Sequence, residues 1–492
     1  MKTFFSFFFG LLKGIIKVLF WIIRFLLNLP NTKSKLYDSS FMKVSTKKKL
    51  LSTSHTGVCV NGKLKLNEEK SKIHSLIIGR TGVGKTTIFN LNNVLDSNDK
   101  VMVISDMDAG IYNRSSGYLK SIGYNILTFD LLNTNSSCFY NPIYFCETND
   151  DLKTLAKQII DAGSGEHSKE VFWNNSATNL LFFLLKLVKT QPEQFQNLVN
   201  VRQLLLLLEL EGFDEFVSNQ ANDELWLEYL SIKAQESKLR SNITATLSSV
   251  LDLLSYEEIG YITSKNTLDF SLLLNPKTVI YVIIPEHKIS QYSLLISMFY
   301  NQLFSYLQKN KPEHIVYAFL DEMPQYKITD IQVLQTTLRR YNVSLNCSIQ
   351  DYKQLEYVYG EKVAATIFSN SASKLIFPGC SLELAKKMSQ ICGTETVEIE
   401  YQDKTTQNHK PLITPTEIIQ MSSDESLFFH GNLAPLKLKT FPYFQNSTLN
   451  KRSKIPSFER ETHQFSKPPL ISISGTTSNP TDYEGFDEQS LS

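Results

Sequence analysis

Cysteine is scarce in this chain and never closely paired in sequence. Six occur among 492 residues, at 59, 138, 146, 347, 380 and 392, and no two form a CxxC. That spacing supports neither a zinc ribbon nor a disulfide scaffold, and it reads as reduced thiols facing a cytoplasm. Excess charge is missing as well. Lysine plus arginine number 50 against 49 acids, a formal net charge of +1. A strongly basic coat for nucleic acid is thereby excluded, and any contact with nucleic acid must be local. Internal repeats and base-reading motifs are also absent, so sequence-specific recognition is not expected. What the chain does have is apolar mass: 42% hydrophobic residues, with 31 Phe and 22 Tyr. It can bury a sizeable core, and its length suggests two or three domains.

The apolar residues are densest from Phe4 to Leu29. At about 1.5 Å per residue a helix of this length spans a bilayer. Lys13, Lys17 and Arg24 interrupt it, and at about 100° per residue they fall on one stripe roughly 40° wide. Three readings fit: a spanning helix with the stripe toward partners or snorkelling, a helix lying in the interface, or a cleaved signal. Residues 31 to 50 then carry six lysines and one acid, Asp38. By the positive-inside rule, the chain beyond residue 30 stays cytoplasmic.

Residues 1–30 are therefore expected to be a membrane segment and 31–56 a basic linker. Asn61-Gly62, between Val58-Cys59-Val60 and Leu64-Lys65-Leu66, signals a hairpin. From 73 onward short apolar runs alternate with helical stretches: Ile73–Ile78, Val101–Ile104, Val279–Ile284, Ile315–Leu320, Leu345–Ile349 and Lys374–Phe377. Such runs suit strands of a parallel sheet covered on both faces. Between 150 and 268 helical patterns replace them, including Asp151–Ile160, Phe172–Val188 and Val201–Leu210. This predicts an all-α insertion into an α/β core made of 57–149 and 269–445. The remainder, 446–492, is rich in Ser, Thr, Pro and Asn, ends acidic, and is expected to be a flexible tail.

Gly79-Arg80-Thr81-Gly82-Val83-Gly84-Lys85-Thr86 fits GxxxxGK[ST] throughout, with the strand-like Ser75–Ile78 in front and Thr87 behind. Glycines let the backbone curl its N–H groups toward phosphate oxygens. Lys85 would reach the β and γ phosphates of ATP, and the Thr86 hydroxyl would ligate magnesium. A helix starting near Lys85 would point its positive end at the anion. Such a loop needs an acid at the end of a neighbouring strand, and Asp321-Glu322 follows Ile315–Leu320. Asp321 would hold magnesium and Glu322 would act as general base. Pro285-Glu286 is a lesser candidate, because it lacks an aspartate. Gln350, at the end of Leu345–Ile349, either senses the γ-phosphate or simply caps a strand. Arg339 or Arg340 either reaches a neighbouring subunit's nucleotide or decorates a solvated helix face.

With these residues in place, the chain resembles the type IV secretion coupling proteins, the TraG/TraD kind of conjugative DNA-transfer ATPase. Phe319-Leu320-Asp321-Glu322-Met323-Pro324 resembles that family's LDE-x-P segment. Arg340-Tyr341-Asn342-Val343, Gln350, Gln354-Leu355 and Tyr359-Gly360 follow the order of its next segment. Asn370 to Phe377 with Gly393–Val397, then Lys410–Ile418, resemble two further stretches, the last of them RPLLTPDEL. Tyr140-Asn141-Pro142, Phe172-Trp173 and Ala177 also have counterparts. The resemblance spans about 57 to 445. One stretch departs: the family's D-x-K-G-E reads Asp106-Met107-Asp108-Ala109-Gly110 here.

The resemblance implies a RecA-like P-loop NTPase core with a mainly parallel sheet, an inserted all-α domain and an N-terminal membrane helix. It implies ATP and Mg2+ as cofactors, Lys85, Glu322, Gln350 and Arg340 as catalytic residues, and Gly79–Thr87 as the nucleotide loop. It further implies a homo-hexamer at the inner (cytoplasmic) membrane, handing DNA or a DNA–relaxase complex to a type IV secretion channel. Alternatives of the same build are an ATPase recruiting protein effectors and a nucleotide-binding scaffold without turnover. Lys233, Lys238 and Arg240 are candidate DNA contacts, with an exposed helix face as the plainer reading.

Overall fold

The computed structural model describes residues 38–163, 171–401 and 404–473. The expected membrane segment, residues 1–30, lies outside the described residues. Among those described, no helix is long and apolar enough to cross a membrane.

Thirteen strands are present among the described residues: β1 Leu51–Ser52, β2 Lys65–Leu66, β3 Ser75–Ile78, β4 Val101–Met107, β5 Asn125–Asp130, β6 Thr278–Ile284, β7 Val316–Leu320, β8 Val343–Ile349, β9 Ser373–Ile376, β10 Thr394–Tyr401, β11 Lys404–Pro411, β12 Glu425–His430 and β13 Leu436–Lys439. Nine form one sheet in the order β13-β12-β9-β3-β8-β7-β4-β6-β5. From β9 to β5 every pairing is parallel, and β12 and β13 close one edge antiparallel. The central strands are buried along their whole length, as in β3, β6 and β8. Continuous Val, Ile and Leu runs are what a sheet covered by helices on both faces requires. One apolar cluster covers one face and extends into the helical region, where it includes Leu181, Leu184, Leu204 and Leu247. A second, with Ile77, Phe89, Ile104 and Tyr281, covers the other face.

Between β5 and β6 the described chain is helical, in seven helices from Asn149–Gly163 to Glu257–Ile262 and shorter turns. Ala177 is fully buried on helix Val171–Lys189. The Asn61-Gly62 hairpin forms only in part. Cys59 bridges Lys65, but Lys65–Leu66 also pairs with β1.

Two expectations need correction. Part of the linker is folded: Ser39 N donates to Thr394 O (2.8 Å), Met42 is buried, and Val44–Leu50 is helical. The described part of the tail is also held. It forms helix Ser447–Arg452 and then a strap across the molecule. Pro456 lies against Gly117, Phe458 N donates to the Ser116 hydroxyl (3.0 Å), and Arg460 pairs with Asp130 (2.5 Å). Further on, the Asn200 side chain brackets the strap through Pro469 O and Ile471 N, and Ile471 and Ile473 are buried. Low hydrophobicity suggested disorder, but backbone hydrogen bonds and a few buried anchors suffice to fix an extended segment. All six cysteines are free.

Candidate nucleotide site

The phosphate loop leaves β3 at Ile78 and is tied at once to the next strand, Gly79 N donating to Ile349 O at 3.1 Å. Gly82 and Gly84 take φ of 85° and 99°, backbone that a side chain would strain. A Cβ on Gly84 would also lie 2.7 Å from Ile88 Cδ1. A wide-turned helix, Lys85–Asn90, starts directly after the loop and runs on into Leu91–Leu95. Its first turn carries no acid, so its amide ends face the loop without a competing carboxylate.

Lys85 is only 6% exposed; its Nζ donates to Gly79 O (2.6 Å) and lies 3.2 Å from Glu322 Oε1. The Thr86 hydroxyl donates to Asp321 Oδ2 (3.3 Å). The acid pair ends β7, which is not adjacent to β3: β8 stands between them. The lysine and the threonine cross that gap to meet the acids. Glu322 is in left-handed backbone, φ 49°, a strained conformation of the kind found where a side chain must be aimed. The Tyr326 hydroxyl donates to Asp321 O (2.9 Å) and is itself bonded to Ser105, whose hydroxyl also meets Tyr300.

Burial pushes the Asp321 carboxyl up to about 6, with the Glu322 charge adding to it. Asp321 Oδ1 and Glu322 Oε2 are buried and have no hydrogen-bond partner among the described residues. Orphaned carboxylate oxygens beside a hydroxyl are a hard-oxygen donor set that suits magnesium. Thr86 and Asp321 are the residues here that would hold the ion.

Gln350 follows β8 at the same end of the sheet as the loop, since Ile349 pairs with Ile78. Its backbone N–H donates to Gln354 Oε1 (3.1 Å). Arg340 is not brought to this site. It lies in Arg339–Tyr341, before the first residue of β8, at the opposite end of the parallel strands. Within one chain the strand's length separates it from the loop. Glu286 is likewise outside the acid pair; its N–H donates to Asp108 Oδ1 (3.1 Å). Of the candidate DNA contacts, Lys233 is paired with Asp214 and Arg240 with Glu209, which cancels much of their attraction for phosphate. Lys238 is exposed.

A cavity of about 680 Å³ opens beside the loop, lined by Arg80–Gly84, Thr87 and Ile88 and by Pro378, Gly379, Ile419, Met421, Ser423, Pro442 and Phe444. The second set was not anticipated, and no local motif marks it. A larger groove, about 790 Å³, runs from Tyr144 to Lys309 and Asn310 and contains none of the phosphate-loop residues.

The departing stretch has a structural role. Asp106 accepts from Ile111 N (2.8 Å) and Tyr112 N (2.6 Å), capping helix Tyr112–Ser121. Asp108, where the resembling family has lysine, joins the ends of β4 and β6: its N–H donates to Ile284 O (3.0 Å) while its carboxylate accepts from Glu286 N. Burial raises the Asp106 carboxyl from 3.8 to about 7. The folded chain therefore holds this proton more tightly than the unfolded chain. The stability it confers is full below the unfolded value and is lost as pH rises through about 7. Asp106→Asn is expected to flatten that loss, read as the thermal midpoint from about pH 4 to about pH 8. An unchanged slope would show that Asp106 does not titrate in this window.

Sequence comparison gives the same family from several directions. The family model described as Type IV secretory system Conjugative DNA transfer matches residues 32–466. A probable conjugal transfer protein TraG of Sinorhizobium fredii is 24% identical over 327 residues, covering 61% of this chain and 50% of the relative. Protein VirD4 of Rhizobium radiobacter is 20% identical over 435 residues, covering 82% and 60%. The chain thus spans about half the length of the curated relatives it matches. Among solved structures, the bacterial conjugative coupling protein TrwBdeltaN70 superimposes with TM-score 0.67 at 17% identity, over 83% of this chain and 93% of that one. TrwB with ADP and Mg2+ gives 0.65 at 16%, over 88% and 96%. These likenesses show that the chain shares the fold of the coupling protein TrwB. With a match over most of its length, the chain belongs to the type IV secretory system conjugative DNA transfer family.

Proposed function

We propose that this chain is a membrane-anchored ATPase that couples DNA, or a DNA–relaxase complex, to a type IV secretion channel and drives transfer by ATP hydrolysis. The observation that carries the reading is the meeting of Lys85, Thr86, Asp321 and Glu322 at one end of the sheet. TrwB has been solved with ADP and Mg2+ and with non-hydrolysable GTP and ATP analogues, which supports nucleotide and magnesium here. Magnesium, when bound, would neutralise charge on the phosphates.

The chain's own residues do the rest. Gly79–Thr87 cradles the phosphates. Lys85 exchanges Gly79 O and Glu322 for phosphate oxygens. Glu322, released from Lys85, accepts a proton from the attacking water, and Gln350 orients that water from the end of β8. Arg340, remote from its own loop, would serve a neighbouring subunit's nucleotide in a homo-hexamer. In this reading 57–149 with 269–445 is the nucleotide-binding domain. Residues 150–268 receive substrate, and 1–30 anchor the assembly at the inner membrane.

The test is ATP hydrolysis by the detergent-solubilised full chain with and without single- and double-stranded DNA, with Lys85→Ala as the blank. Hydrolysis that rises with DNA and disappears in the blank is expected. Turnover indifferent to DNA in an assembled preparation would favour protein substrates instead. ATP binding without any turnover would leave a nucleotide-gated scaffold.

A further inference from the structure

The cavity beside the phosphate loop includes none of Lys85, Thr86, Asp321 or Glu322 in its lining. Pro378 and Gly379 in its wall follow β9, which flanks β3 on the side away from β8 and β7, so the cavity lies on the other side of the loop from the acids. Thr87 and Ile88, one helical step past the phosphate-binding lysine and threonine, form part of its wall. A triphosphate seated at Lys85 and Thr86 would direct its nucleoside here.

The far wall is built with care. Thr414 and Glu417 form a reciprocal capping box, with Pro415 in the first turn of the short helix Pro415–Ile419. Gly379 N donates to Ile419 O (2.9 Å), which fastens the end of that helix to the loop after β9. Ile419 and Met421 are thereby set against the phosphate loop. The ledge Pro442–Phe444 is anchored at the residue that leads into it. Phe441 N donates to Asn61 O (2.8 Å), and the Asn92 amide donates to Phe441 O (3.0 Å). Tyr443 is buried beneath it. Phe444 meets Tyr443 edge-on, with centroids 5.5 Å apart, and remains 51% exposed at the cavity. A large aromatic ring held by rigid neighbours and left open to a cavity has the form of a stacking platform.

We propose that Phe444 is the residue on which the nucleotide's base stacks, with Ile419 and Met421 as apolar walls. The proposal rests on the nucleotide reading above and goes beyond it by naming what holds the base. Outside the phosphate loop, Ser423 brings the one side-chain hydroxyl among the described residues of this lining. Arg80 of the loop also lines the cavity, beside Gly379; with no side-chain acceptor but hydroxyls opposite it, base recognition rests mainly on stacking and shape. ATP and GTP are expected to bind within about tenfold of each other.

The experiment is equilibrium binding of ATP, GTP and inorganic triphosphate to the full chain, to Phe444→Ala and to Phe444→Trp. Phe444→Ala should weaken ATP and GTP alike by about tenfold and leave inorganic triphosphate unchanged, because a base–aromatic stack contributes on that order. Phe444→Trp should restore binding. Unchanged ATP affinity in Phe444→Ala, an equal loss for inorganic triphosphate, or a change in assembly without a change in affinity would overturn the proposal. In those cases an ATP affinity that still falls in Lys85→Ala keeps the nucleotide reading intact. A wild-type chain that binds no ATP would overturn both.

Discussion

Glu322→Gln is expected to lower ATP turnover by about a thousandfold while ATP remains bound. The carboxylate has one oxygen against Lys85 (3.2 Å) and the other buried without a hydrogen-bond partner among the described residues. That second oxygen is the free acceptor a water proton requires. Glutamine keeps the volume and the left-handed backbone at φ 49°, so the site should stay assembled. It removes the charge that accepts the proton. It also frees Lys85, whose other contact, Gly79 O, is neutral. ATP binding should therefore be unchanged or tighter, and a fall in kcat with no rise in KM is the pattern to look for. Equal loss of binding would mean that Glu322 is structural. Retained turnover would move the general base elsewhere.

The parts of this site that could be read in advance are those written in contiguous residues. Gly79–Thr86 and Asp321-Glu322 each sit in one short stretch next to a continuous apolar run, and both runs are strands. The central strands β3, β4, β6 and β7 were legible for the same reason, since burial on both faces leaves little polar alternation; β8, VSLNCSI, alternates although every residue is buried, and was readable only from its Leu345–Ile349 portion. The sheet's edges were not. β5 begins exposed and half-buried at Asn125–Leu127, and β13 alternates as Leu-Lys-Leu-Lys. β10 and β11 pair Thr396 with His409 and Glu395 with Lys410, a ribbon of polar residues joined through backbone. Strand order was illegible too, because nothing local places β8 between the loop and the acids. The base cavity draws on residues near 80, 379, 420 and 443. These meet only after the sheet has assembled. Arg340 was readable as an arginine before a strand, but not as one at the far end from its own loop.

The second large effect concerns the strap. Arg460→Ala is expected to cost about 3 kcal/mol of stability, because it strips a cation from a buried carboxylate. Asp130 ends β5 at 1% exposed. One of its oxygens accepts from Leu132 N and Asn133 N, both at 2.8 Å, and the other takes Arg460 at 2.5 Å. The arginine is 17% exposed and also covers the Tyr112 ring at 4.8 Å. Tyr112 in turn donates to Phe458 O (2.5 Å). Removing the guanidinium therefore exposes an unpaired charge and loosens the segment on both sides of it. The strap continues to the helical region, where the Tyr261 hydroxyl donates to Gln464 O (2.7 Å) and Asn200 holds Pro469 and Ile471. Its release should leave the helices between β5 and β6 less firmly attached to the sheet. Lys467→Ala is the control. Its partner is Glu257 at 2.6 Å, but the two are 73% and 60% exposed. A pair so open to water should contribute no more than about 0.5 kcal/mol. Thermal unfolding and limited proteolysis of the two variants side by side would decide. Arg460→Ala should lower the midpoint and open a cleavage site between 454 and 473, and Lys467→Ala should do neither. If Arg460→Ala proved as silent as the control, the Asp130 pair would not be what holds this segment down.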